Sequence, residues 1–427
     1  MIGIEQRCVC DGVNFRSIKD TKFKTIRISV NFLLPIQKKT AAENALIPFL
    51  LSRTSREYPD FTKLGQRLEE LYGAEINADV QKLGDNQMLS LSATGIADRY
   101  ALNGEKVSTE LSKLLCSMIF DPYLEEGLFP QEGFEQEKRQ TIELIESEFN
   151  DKRYYAKQRC EEIMCATEPY GIGRFGSKED IKNLRREDVI KAWKNLMNSA
   201  RVEILVLGDC DPEPVYEDFY RAFQKLNKTN TVPCPNGNVK KAEKTNEVTE
   251  KMDVAQSKLV LGFRTFYAIP DAEMPAVRMM TAVFGGTPSS KLFANVRERL
   301  SLCYYCSAQY ISMKGIMLVQ SGVETKNVEK AKQEILVQLE EIKKGNFDEN
   351  EINAAKLNMC NSYRSVSDSL GGLEVWYLSQ TFAGHIERPE EAAATVMAVT
   401  RQDIIDVANK VTLDTVYRLL GNGEEAQ

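Results

Sequence analysis

Histidine serves acid–base, nucleophilic and metal chemistry more often than any other side chain. This sequence has one, His385, in FAGHIERPEE, a stretch that reads as a loop and predicts a solvated ring. A metal site using it would have to recruit distant carboxylates, and a Ser–His or Cys–His pair would depend on the same ring. Ten cysteines are present, and two pairs are closely spaced, Cys8-x-Cys10 and Cys303-x-x-Cys306. Neither has a second pair at zinc-site spacing, so structural thiols are expected. GGTPSSK, 285–291, has the outline of a phosphate loop. Ser290, however, stands where a Walker glycine must precede the lysine, and Leu292 where a hydroxyl must follow. The opposite case is ENALIPFLLSRTS, 43–55, which carries no charge between Glu43 and Arg53. It reads as an apolar helix with no chemistry of its own.

What must position any functional residue here is a duplicated domain. The two halves repeat one order of segments at an offset of about 230 residues, far beyond a solenoid period. TIRISVNFLLP, AENALIPFLL, KLGQRLEELYGAEINADV and NQMLSLSATGI in the first half answer to KLVLGFRTFYAIP, AEMPAVRMMTAVF, KLFANVRERLSLCYYCSA and GIMLVQSGV in the second. A helix and a strand ending in glycine close each half, at 184–208 and 399–421. TIRISVNFLL and MLSLSATGI alternate, which predicts half-buried strands. Leu64, Leu68 and Leu71 share one helical face, and VEKAKQEILVQLEEIKKG predicts a helix ending at Gly345. The expected fold is α+β, with two homologous domains at 1–225 and 251–427. Each is a mostly antiparallel sheet with helices packed on one face. A polar, Lys/Asn-rich linker at 226–250 joins them.

Composition narrows the function. Charged residues make up 27% of the chain, the net charge is −7 and no dense basic run occurs, so no nucleic-acid partner is expected. No apolar run nears the ~20 residues of a membrane span. The start, MIGIEQRCVCDGVNF, lacks the apolar core of a secretion signal. Cytosolic location and reduced thiols follow as expectations.

The segment order, with YGAEINADV after the second helix and GGTPSSKLFANVRERLSLCYYC in the second half, resembles the insulinase/pitrilysin/mitochondrial-processing-peptidase family. These are zinc peptidases with an inverted H-x-x-E-H motif. The resemblance implies a half-clamshell chain and puts Ile47 and Leu51 in place of the two histidine ligands and Leu50 in place of the glutamate base. The third ligand position, seven residues beyond Glu137, falls on Leu144, between Glu143 and Glu146. No metal or other cofactor, and no catalysis by the chain alone, is therefore expected.

The same resemblance implies that Arg297 and Tyr304 correspond to the second-domain pair that holds substrate in active members. Asn77 and Ala78 correspond to the edge strand that meets an extended peptide. The implied function is that of a non-catalytic subunit. It would bind unfolded or extended peptide and lend Arg297 and Tyr304 to a zinc-bearing homologous partner. A scaffold of the same fold without a peptide chamber is the alternative, and a homodimeric peptide-binding module is a third reading.

Overall fold

A computed structural model describes residues 3–226, 228, 230–384 and 386–421. His385 lies outside them. The chain divides into two compact units, residues 1–146 with 172–235, and residues 147–171 with 236–427.

The first unit holds a six-stranded sheet. Its strands are β1 (Gly3–Cys10), β2 (Val13–Lys19), β3 (Thr25–Pro35), β4 (Glu75–Leu83), β5 (Asn86–Ile96) and β6 (Arg201–Gly208). Their spatial order is β1-β2-β6-β3-β5-β4. The second unit holds β7 (Asn246–Met252), β8 (Ser257–Arg264), β9 (Cys303–Ile311), β10 (Ile316–Val323) and β11 (Thr412–Gly421), in the order β7-β11-β8-β10-β9. Apart from β1 the two sheets are copies. In each, the last strand enters parallel to the first (β6 on β2, β11 on β7), and every other pairing is antiparallel.

Each sheet turns one face to a large apolar core. Ile26, Ile28, Val30 and Phe32 of β3 face the first core, and Leu259, Leu261 and Phe263 of β8 the second. The alternation in β3 is real, but its other face is buried too. Ser29 and Asn31 lie there, with the Asn31 amide donating to the Ser29 hydroxyl and the Glu203 carbonyl. A central strand is flanked on both sides, so its polar face signals hydrogen bonding rather than exposure. The predicted helix end at Gly345 is a Schellman turn. Gly345 has φ +78°, its N–H reaches the Ile342 carbonyl, and the Asn346 N–H reaches Glu341.

The domain limits need two corrections. Residues 147–171, expected in the first domain, belong to the second unit. The helix Lys152–Met164 starts at Asp151, whose carboxylate caps the N–H groups of Arg153 and Tyr154. Ala156, Cys160 and Met164 form its stripe and pack on Val260, Leu318, Tyr417 and Leu419, the sheet face opposite the main core. Those strands are apolar on both sides and need a cover on both. Gly262 makes room for it, since a Cβ there would lie 2.8 Å from the Met164 sulfur. The second correction is that the expected linker 226–250 ends inside β7.

Four buried charges fasten the end of this helix. Arg264 pairs with Glu168 and Asp414 at 2.8 Å each, and Lys314 pairs with Glu168 at 3.0 Å. Burial alone would raise the Glu168 carboxyl, but the Lys314 hydrogen bond and the Arg264 charge outweigh it and hold it below the usual carboxylate range. A depressed carboxylate stabilises the fold above its unfolded value and loses that contribution as pH falls through the folded one. Glu168→Gln should therefore cost about 3–5 kcal/mol near neutral pH. The gap in urea midpoint between variant and parent should shrink as pH drops below about 4. A gap independent of pH would contradict the assignment.

Candidate functional site

The apolar stretch forms the helix Ala41–Leu51, two residues earlier than its quoted start. Gln87 of β5 fixes its first turn, accepting from the Asn44 amide and donating to the Ala41 carbonyl. Ile47, Leu50 and Leu51 are all buried members of the first core. Each contributes about 1.5–3 kcal/mol by leaving water. All three side chains are hydrocarbon, and none carries a lone pair that could hold a cation.

Leu144 behaves differently. It lies on the helix Gln131–Asn150 and is 45% exposed, outside the core that holds the other three. Glu137, two turns earlier on nearly the same face, is buried and paired with Arg53. The Arg53 guanidinium also donates to Gln136 at 3.0 Å and lies over the Phe61 ring. Burial pushes the Glu137 carboxyl up despite the opposing Arg53 charge, so this pair is weak evidence for stability. A cavity of about 420 Å3 opens beside it, lined by Leu50, Arg53, Asp60, Phe61, Glu132 and Gln136. The Glu137 carboxylate is already taken by the Arg53 guanidinium, whose charge repels a metal ion there. Among the described residues no group of three or more His, Cys, Asp or Glu is placed to hold one. The residues present do not fit zinc.

Arg53 was not singled out by sequence reasoning, although it is the first charge after the apolar helix and stands two residues past Leu51. Nothing in residue order shows that it reaches Glu137, 84 positions away.

The Arg/Tyr pair lies in the second unit. Arg297 is in the π-helical segment Leu292–Arg299, which packs against β9. Its guanidinium sits over Phe293, 4.7 Å from the ring centroid, and pairs with the exposed Glu298 at 3.6 Å. Tyr304 is on β9 itself and is 63% exposed, with no partner for its hydroxyl among the described residues. An exposed ion pair of this kind is worth little, so neither side chain is held by the fold's energetics. Asn77 and Ala78 are on β4, the outer strand of the first sheet, paired with Ser92 and Leu91 of β5. Asn77 is exposed, and Ala78 rests partly on the first core. β9 is the outer strand of the second sheet. Both stretches therefore lie on strands with one open hydrogen-bonding edge.

A family model described as the peptidase M16 inactive domain matches residues 183–359. The chain is 31% identical over 411 residues to the probable inactive metalloprotease YmfF of Bacillus subtilis (strain 168), covering 96% of both. A crystal structure of a conserved protein from Enterococcus faecalis V583 superposes with a TM-score of 0.89 at 30% identity, covering 99% of each chain. The crystal structure of a peptidase M16 inactive domain from Pseudomonas fluorescens shares the fold, with a TM-score of 0.79 at 16% identity over 100% of both chains.

Truncating Leu51 to Ala should cost about 2–5 kcal/mol in urea unfolding, because it opens a cavity in the core. Restoring the motif by Ile47→His, Leu50→Glu and Leu51→His together should destabilise the chain and yield no stoichiometric zinc by elemental analysis. A folded triple variant with one zinc per chain would overturn the core assignment.

Proposed function

The chain belongs to the M16 peptidase family, the insulinase/pitrilysin type that its sequence resembles, as an inactive homologue. From that premise we propose that it is the non-catalytic subunit of a heterodimeric zinc peptidase. It binds an extended peptide and supplies Arg297 and Tyr304 to the active site of a zinc-bearing homologue. The observation that carries this reading is the contrast between the two sites. Ile47, Leu50 and Leu51, which the resemblance aligns with the metal motif, are buried hydrocarbon, whereas Arg297 and Tyr304 are exposed.

The chemistry suits the role. A guanidinium is a permanent, forked donor, and a phenol is a neutral one. Both can hold a peptide carbonyl, and both can stabilise the oxyanion that forms when the partner's metal-activated water attacks. The open edge of β4 at Asn77 and Ala78 offers backbone hydrogen bonds to an extended peptide, a mode that asks little of side chains. The proposed setting is the cytosol. Among the described residues no helix is long and apolar enough to cross a membrane.

Co-expression with a homologue that carries H-x-x-E-H should give a stable pair that cleaves extended peptides, while this chain alone cleaves none. Arg297→Ala should lower kcat of the pair by about 10²-fold, the loss of one oxyanion donor, without dissociating it on gel filtration. Arg297→Lys should restore part of the loss. Unchanged turnover in the alanine variant would remove the pair from the reaction and leave a scaffold.

A further inference from the structure

Cys303 and Cys306 are three residues apart on β9. In a regular strand, period-two alternation points such residues to opposite faces. Here β9 carries a bulge. Cys303 faces Val323 of β10, Tyr305 faces Gly322 and Cys306 faces Ser321, which leaves Tyr304 as the extra residue. One inserted residue brings both cysteines to the same side. Cys306 is buried in the second core, and Cys303 packs partly exposed against that core.

The two thiols lie on one face of β9 against one core, and each shifts the other's proton affinity. The neighbouring Cys306 thiol and the Arg297 charge favour the Cys303 thiolate. Against the opposing effect of burial they bring its pKa down to about 7. Cys306 is driven the other way, chiefly by Cys303 beside it and by burial, so it stays a thiol. One partly exposed nucleophile thus sits beside one protonated resolving thiol, with a cation next to the first.

We infer that Cys303 and Cys306 form an oxidation site that takes hydrogen peroxide and closes reversibly to a disulfide across the β9 bulge. The Cys303 thiolate attacks one peroxide oxygen. An S–O bond forms, the O–O bond breaks, and hydroxide leaves and takes a proton from solvent. The Cys306 thiol then attacks the sulfenic sulfur. The S–S bond forms, the S–O bond breaks, and water departs with the Cys306 proton. Two thiols lose two electrons and two protons, and the peroxide becomes two waters. A dithiol reductant reverses the step by exchange. Closing the bridge tightens the bulge that carries Tyr304. The inference stands whether or not the chain pairs with a peptidase.

Both cysteines fall in one tryptic peptide, Leu300–Lys314. After peroxide treatment of the whole protein and alkylation, that peptide should appear two hydrogens lighter and unalkylated, and dithiothreitol should reverse the change. Cys306→Ser should stop the reaction at a Cys303 sulfenic acid that dimedone traps. The midpoint of Cys303 alkylation against pH should move from near 7 in the parent up toward the ordinary ~8.5 in that variant. A peptide that stays fully alkylatable while exposed Cys8 oxidises would overturn the inference. So would sulfinic or sulfonic acid at Cys303 with no bridge. The parent measurement needs no variant to fold.

Discussion

The second sheet must be covered on both faces, and much of the chain's organisation follows from that demand. Val260, Leu318, Tyr417 and Leu419 point away from the main core, and left to water they would forfeit several kcal/mol of burial. The helix Lys152–Met164 supplies the cover. It is the continuation of a first-half segment, so chain from one half completes the fold of the other. Polar fastenings hold it at two points. Glu250 accepts from Tyr155, Tyr417 and Arg159 at 2.8–3.1 Å, and Glu168 accepts Lys314 and Arg264 beyond the helix end. Four buried charges of balanced sign are costly to desolvate, but each finds a partner. Removing any one therefore costs more than the cluster as a whole contributes.

The duplicated sheets show how one topology holds two different chemistries. Strand order and pairing sense agree strand for strand, so backbone hydrogen bonding sets the frame in both halves. Side chains then diverge face by face. The far face of the first sheet is mixed, with Glu203 accepting from Arg16, Arg201 and Asn14 beside the buried Ile18, Leu33, Leu205 and Leu207. The far face of the second is apolar and takes a helix. The main cores stay alike, because a helix layer over a sheet asks only for volume and hydrocarbon. That tolerance is what lets a run as apolar as Ile47, Leu50 and Leu51 pack into the first core.

The fold was legible in the sequence wherever it depended on period. The alternation in TIRISVNFLL, the Leu64/Leu68/Leu71 stripe, the Gly345 stop and the repeat of segment order all act locally, and each marks an element correctly. Pairing between distant segments was not legible. The stripe Ala156, Cys160, Met164 names a buried helix face but not the sheet it meets, and Arg264 reads as an ordinary strand end until Glu168 is beside it. The burial of Ile47, Leu50 and Leu51 was legible as composition. The exposure of Leu144 was not, because register fixes where a residue stands and not what surrounds it. The bulge in β9 was equally hidden. Cys303-x-x-Cys306 looks like two thiols on opposite faces until the unpaired Tyr304 is placed between them.

The buried Ile47, Leu50 and Leu51 and the exposed Arg297 and Tyr304 are energetically independent, and this makes the proposed division of labour physically reasonable. Ile47, Leu50 and Leu51 are buried, so their identity is tied to the stability of the first unit. A ligand set there would have to be held against desolvation whenever metal was absent. Arg297 and Tyr304 belong to the second unit and are solvated. Their contacts, one ring face and one exposed carboxylate, contribute almost nothing to stability. A large aromatic side chain left 63% exposed on a bulged edge strand is a cost to solubility rather than a gain to the fold. Its explanation must be sought in what it meets outside the chain. A permanent charge and a neutral hydroxyl, solvated beside an open strand edge, are the kind of donors that the proposed role asks for.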